Sequence, residues 1–307
     1  MPITNIYNLP QPLVNLFGKQ QYSKGEARLS VTELIGAPRI SLLRHEHSHL
    51  IQEDIVDKFW AMMGTNVHRI LEQGADGEHL TEERLFTKVD DWTISGGIDL
   101  QKQTDDGVHV IDWKFVSVMS IKTPKPEWEK QLNCYAWLVR EVKNVEVKKL
   151  QVCAILRDWA ASRKKSDAAY PIAPVVMLDI PLWSHQEIGA FIHSRVAAHK
   201  DARRALLWGE ELPACSDEEM WVRPTTYAVY KRGNNRAARV FSNDAEASSY
   251  ASNVPGAGLL HVVVRPGARV RCENNYCGVS SFCSQFASYR DSLPAVVSEP
   301  SLPILEG

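Results

Sequence analysis

The stretch 96-GGIDLQKQTDDGVHVIDWKF-115 decides how this chain is read. Apolar residues alternate in 92-WTISGGIDL-100 and again in 108-VHVIDWKF-115, with Asp105, Asp106 and Gly107 as a turn signal between them. That pattern is a β-hairpin, and it brings Asp99 of one strand and Asp112 of the next to one edge of a sheet. Side chains two apart on a strand share a face, so Asp112 and Lys114 point one way and Trp113 the other. Two converging carboxylates resist joint ionisation and need a cation between them. A hard divalent ion such as Mg²⁺ suits oxygen ligands of this kind. A lysine placed there can orient or deprotonate an attacking water and steady charge on phosphorus. By itself a D-x-K triplet is ordinarily a solvated ion pair, so its neighbours must decide.

Working outward, 52-QEDIVDKFWAMMGTNVHRILEQG-74 places Ile55, Phe59, Met62, Met63, Val67, Ile70 and Leu71 at helical spacing, with Gly74 as a stop. The run 82-EERLFTKVD-90 predicts a strand ahead of the hairpin. Pro126 opens a helix over 127–142 that carries Trp128, Leu132, Tyr135 and Val139 at helical spacing. Strands are expected at 149–159 and 174–182, then a helix from about Ser184 to Trp208. The order predicts an α/β core over 31–215, a mixed sheet flanked by helices. Residues 1–30 read as irregular, and 293–307 as an extended tail.

Four further residues fall into line with the hairpin. His68 follows Gly64 in 64-GTNVHRILEQG-74, Glu83 starts the preceding strand, and Gln131 and Tyr135 sit four apart on one helical face. The order G-x-x-x-H, strand Glu, G-x-D, D-x-K, then Q-x-x-x-Y closely resembles the RecB-like branch of the PD-(D/E)xK nucleases, over roughly residues 55–160. That resemblance implies a restriction-endonuclease-like sheet core and a metal-dependent deoxyribonuclease. It implies Asp99 and Asp112 as ligands for Mg²⁺ or Mn²⁺, Lys114 as the catalytic lysine, and His68 as a further ligand or a shaper of the metal site. Glu83 matches the family's glutamate near the metal, with Glu82 beside it, and Gln131 and Tyr135 would position DNA or the active-site water. Many such proteins trim DNA ends in recombination, repair or phage DNA processing. An exonuclease is therefore expected, with recombination or single-strand-binding proteins as partners besides DNA. A structure-specific endonuclease and a non-catalytic DNA-binding or assembly subunit are the alternatives. The retained Asp99, Asp112 and Lys114 speak against the last.

A second constellation is 271-RCENNYCGVSSFCSQF-286, where Cys272, Cys277 and Cys283 are spaced C-x4-C-x5-C. Several RecB-like nucleases carry a carboxy-terminal cysteine trio that joins one upstream cysteine around a four-iron cluster. The resemblance thus implies a 4Fe-4S cluster or Zn²⁺ here, both of which thiolates suit. The first gap exceeds the usual C-x2-C, and no cysteine precedes Cys134, so His45, His47 and His49 are the upstream candidates. Buried, metal-free thiols are the other reading. Cys134, Cys153 and Cys215 read as structural.

Residues 216–267 read as a small inserted ββαβ module, with 268–307 holding the cysteines and tail. Thr225 to Tyr230 alternates, Gly233-Asn234-Asn235 marks a turn, and Arg239 to Phe241 returns. Asn243 with Glu246 resembles a capping box, and Leu259 to Val264 gives a third strand. Lys231, Arg232, Arg236 and Arg239 cluster around the hairpin near Tyr227 and Tyr230, which suits DNA backbone and stacked bases. A solvated hairpin tip is the plainer reading.

Composition sets the outer limits. The 307 residues are 44% hydrophobic and 23% charged, as in ordinary globular proteins. A formal charge of -2 excludes a uniformly basic nucleic-acid coat but not a local basic channel. There is no basic start leading into an apolar run, and no stretch of about 18 apolar residues, so neither a signal peptide nor a membrane span is expected. Six cysteines are too few for a disulfide scaffold, and a reducing cytoplasm is the expected setting.

Overall fold

The alternating runs around the quoted stretch become the middle of a mixed sheet. The fold is a computed structural model that describes residues 3–18, 24–123, 125–254, 257–274 and 276–293, and the expected tail lies outside them from residue 294 onward. Residues 1–213 and 214–307 are separate units, each described by itself.

The first unit runs α1 (Ile55–Glu72), β1 (His79–Val89), β2 (Trp92–Thr104), β3 (Gly107–Val116), α2 (Pro126–Lys143), β4 (Val147–Leu156), β5 (Val175–Ile180) and α3 (His185–Trp208). The five strands lie side by side in chain order. β1–β2, β2–β3 and β4–β5 are antiparallel, and β3–β4 is parallel. A parallel pair needs a crossover, which α2 supplies. Proline in its first turn starts that helix, and Asn144 in the left-handed conformation ends it.

Trp128, Leu132, Tyr135, Leu138 and Val139 of α2 are buried in one core with Ile94, Ile98, Val108, Val110, Leu150 and Val152 of the sheet. α3, opened by a Ser184–Glu187 capping box, adds Ile188, Ile192 and Val196 to it. A smaller cluster of Leu100, Ile111 and Cys153, with Trp113 against it, forms separately. Gly96 lets α2 lie directly on β2: a Cβ there would stand 2.5 Å from Leu138 Cδ1 and 3.0 Å from the Tyr135 ring.

One irregularity positions everything that follows. The β2–β3 ladder runs from Thr104–Gly107 up to Leu100–Ile111 and stops there, while β3 stays paired to β4 as far as Val116. The free edge of β2 is taken up further along by the short strand Leu29–Ser30, at Ile94 and Ser95. The sheet is therefore forked at Asp99 and Asp112.

The amino-terminal reading needs correction. Residues 1–30 are not wholly irregular, since Gln11–Gly18 is helical and Ile3–Thr4 pairs with Glu53–Asp54. Helices Val31–Ile35 and Pro38–Glu46 follow, the first started by a Ser30–Glu33 capping box. Ile70 of α1, expected on the apolar face, is exposed.

The second unit contains a three-stranded antiparallel sheet in the order β7–β6–β8: β6 (Thr226–Lys231), β7 (Arg239–Phe241) and β8 (Leu260–Arg265). Helix α4 (Asp244–Asn253) starts at Asn243, whose side chain accepts from the Glu246 amide at 2.8 Å. No helix among the described residues is long and apolar enough to cross a membrane.

Candidate metal centre

The hairpin register sets the first half of the site. β1 pairs Thr81 with Leu100 and Glu83 with Ile98, so Glu82 stands opposite Asp99. Glu82 takes a left-handed φ of 51°, a strained choice for a non-glycine residue. His68 of α1 completes the group, with Nδ1 at 3.4 Å from Asp99 Oδ1 and 3.6 Å from Glu82 Oε1. The ligand atoms of these three side chains lie within 4.8 Å of one another, close enough to hold a metal ion.

Trp113 contributes through its main chain. Its amide, which the fork releases from the ladder, donates to Asp99 Oδ2 at 2.8 Å. Its carbonyl lies 3.2 Å from His68 Nε2 and accepts from that nitrogen, which leaves Nδ1 facing the carboxylates. Burial opposes a charge on His68, but its hydrogen bonds to Asp99 and Glu82, and their charges, outweigh it. The imidazolium pKa is raised to about 10.

The second half is the D-x-K pair. Asp112 is almost fully buried, and the Lys114 ammonium lies 2.6 Å from its Oδ2 as an ion pair. No hydrogen bond of good geometry reaches that buried oxygen. The Asp112 carboxyl is raised to about 6, by burial first; the Lys114 charge works against that rise and the nearby Asp99 charge adds to it. Lys114 also donates to Gln131 Oε1 at 3.1 Å, and Gln131 Nε2 donates to Tyr135 Oη at 2.7 Å.

The structure thus gathers His68, Asp99, Asp112, Lys114, Gln131 and Tyr135 around the fork. It does not bring Glu83 there. Glu83 accepts from Gln101 Nε2 at 2.7 Å and from Lys143 Nζ at 2.8 Å, on the α2 side of the sheet. Burial raises its pKa, but those two bonds prevail and leave it lowered. Glu82 takes the place expected of Glu83.

A signal for this existed in the sequence. Asp90-Asp91 is a two-residue turn between the paired Val89 and Trp92, and Asp90 has the positive φ of 52° that such tight hairpins require. Counting back seven places from each end puts Glu82 opposite Asp99. Carboxylate oxygens of Asp99 and Glu82 with one imidazole nitrogen of His68 form a donor set that fits a divalent cation.

The carboxy-terminal cysteines are arranged differently. Burial raises the Cys272 thiol, and its neighbours Cys277 and Cys283 raise it further. Among the described residues these sulfurs do not form a group within 4.8 Å of one another. None of the six cysteines is in a disulfide. Cys215 is tied to the same segment, its amide and carbonyl bonding the Gln285 side chain at 2.8 and 3.0 Å.

The four expected DNA-contacting cations are all exposed. Lys231, Arg232 and Arg236 stand around the hairpin end. Arg239 lies over the rings of Phe241 and Tyr250, at 5.0 and 5.4 Å, on the side of the sheet that α4 covers.

No protein-family profile matches the chain. No curated protein matches it either. Among solved structures, the crystal structure of SSO0001 is similar over 61% of this chain and 85% of that one, with 20% sequence identity and a TM-score of 0.43.

Proposed function

We propose that this chain is a metal-dependent deoxyribonuclease with a restriction-endonuclease-like core of the PD-(D/E)xK type, hydrolysing phosphodiester bonds from DNA ends. The observation that carries the reading is the convergence at the fork. Asp99 meets Glu82 and His68 on one side, and Asp112 and Lys114 meet Gln131 on the other. Three carboxylates outnumber the two cationic side chains, so the site favours a cation. Mg²⁺ or Mn²⁺ held by Asp99, Glu82 and His68 beside Asp112 would supply Lewis acidity toward water and the phosphodiester.

The chain's own residues do the rest. Lys114, anchored by Asp112 and the Gln131 carbonyl, orients the attacking water and stabilises charge on phosphorus. Tyr135 fixes which way the Gln131 amide faces, so its carbonyl remains available to Lys114. Trp113 holds the ring of His68 and one oxygen of Asp99, which preorganises both.

Action from ends rests on the RecB-like resemblance, as do recombination or single-strand-binding proteins as partners. The test is incubation of linear and covalently closed circular DNA with Mn²⁺, Mg²⁺ or chelator. Loss of the linear form alone, and only with metal, is expected. Opening of the circle would make the protein an endonuclease, and metal-independent persistence of both forms would overturn the reading.

A further inference from the structure

We infer that the open face of the small sheet in the second unit binds single-stranded nucleic acid, stacking unpaired bases on Tyr230 and His261. This goes beyond the nuclease reading and does not depend on it.

Alternation along β6 sends Thr226, Ala228 and Tyr230 to one face and Tyr227 and Val229 to the other. Phe241, opposite Tyr227 in register, packs on Tyr250 of α4 with ring centroids 5.4 Å apart, so α4 covers the Tyr227 face. Among the described residues no helix packs on the Tyr230 face, although Ala228 at its middle is buried between its neighbours. On it Tyr230 and His261 are register partners, and their rings stack with centroids 5.9 Å apart and planes 23° from parallel. Arg265 lies 5.6 Å from the Tyr230 ring centroid and donates to its hydroxyl at 2.6 Å. Val240 and Val263 on the same face are 45% and 39% exposed.

A stacked aromatic pair held by an arginine and flanked by exposed methyl groups leaves the outer face of the exposed His261 for a planar base to stack on, with Tyr230 supporting that ring from behind. Charge selects the occupant. Between Thr226 and Arg265, the span of this sheet, Lys231, Arg232, Arg236, Arg239 and Arg265 stand against two acids, Asp244 and Glu246. Both acids lie in the first turn of α4, the helix on the opposite face. Lys231, Arg232 and Arg236 follow directly from Tyr230 at the end of the hairpin, where a backbone leaving the stacked pair would run. The complement of such a surface is a polyanion carrying planar groups.

The test uses the full chain in chelator, where metal-dependent cleavage cannot proceed, and reads fluorescence anisotropy with labelled dT20, rU20 and a 20-base-pair duplex. Expected is tighter binding of the single strands than of the duplex. Tyr230→Ala and His261→Ala should each weaken dT20 about tenfold, while Tyr230→Phe, which keeps the ring, should not. Arg232→Glu, at an exposed turn, should lower the salt dependence by about one phosphate contact with an unchanged melting temperature. Equal affinity for dT20 and rU20 would show recognition of base and phosphate without regard to sugar, and a preference would name the strand. The inference is overturned if the parent binds neither single strand, if the duplex binds better, or if Arg232→Glu and the two alanine variants bind dT20 as the parent does. Binding is read without cleavage, so its loss would leave the nuclease reading intact, and a failure of metal-dependent cleavage would leave this one intact.

Discussion

Asp112→Asn should make the metal-free protein more stable and the enzyme inactive. The Asp112 carboxyl is raised from 3.8 to about 6, chiefly by burial. A raised carboxyl pKa means that the fold favours the neutral form. The associated stability is present in full below pH 3.8 and lost as pH rises through 6, so at pH 8 the ionised group is a liability. Two units at 1.36 kcal/mol each put that liability at about 3 kcal/mol. Asparagine has nearly the same shape and cannot ionise, so about 3 kcal/mol is the ceiling of the gain. For a unit of this size that is a rise in melting temperature of roughly 6–12 °C. Thermal melts in chelator at pH 5, 6.5 and 8 should show the gap opening with pH. Added Mn²⁺ should raise the parent's melting temperature more than the variant's, since a ligand stabilises only the state that binds it. Single-turnover cleavage by the variant should be undetectable. A variant that in chelator at pH 8 is less stable than the parent, or that cleaves at the parental rate, would refute the burial argument or the site assignment respectively.

Lys114→Ala should leave calorimetric Mn²⁺ binding unchanged and slow single-turnover cleavage about a hundredfold or more, because its contribution is made in the transition state; an unaltered rate removes it from the chemistry. Glu82→Gln should weaken Mn²⁺ binding, whereas Glu83→Gln should spare it and lose only the contacts to Lys143 and Gln101; the reverse result would restore Glu83 to the site. Metal must displace the proton that Asp99 and Glu82 hold on His68 up to about pH 10. Mn²⁺ affinity should accordingly rise about tenfold per pH unit between 7 and 9, with about one proton released in calorimetry across buffers; a flat profile excludes His68 as a ligand.

Much of this site can be read from the residues because their signals are local. Alternation around 92–115 finds both strands, and the i, i+2 rule puts Asp112 with Lys114. Helical spacing and Pro126 find the helix that bears Gln131 and Tyr135. What escaped depends on pairing. Choosing Glu82 over Glu83 needs the register of β1 on β2, to which the two-residue turn at Asp90-Asp91 contributes by geometry that no hydrophobic pattern displays. The fork escaped because it shows only when the Trp113 amide bonds a side chain in place of a neighbouring strand. Helix Val31–Ile35 escaped because five residues are too few for a period. The ring contacts of Arg239 are not legible in the sequence, because nothing there says that Tyr250 lies within its reach.

The two-residue turn at Asp90-Asp91 has a consequence for how the chain can vary. Exposed hairpin tips ordinarily tolerate insertion, since little packs on them. This tip works as a ruler: Glu82 lies seven residues, about 23 Å of strand, from Val89, and a two-residue turn aligns it with Asp99. Any change in length that a bulge does not absorb slides β1 by one residue, which turns Glu82 to the opposite face and brings Glu83 onto the row of Asp99. Glycines added one at a time between Asp90 and Asp91, read by Mn²⁺ affinity, should show loss wherever the register slips. Affinity indifferent to tip length would show that the register is held elsewhere. A solvent-exposed loop with no atom at the site thus shares the constraint that acts on the ligands.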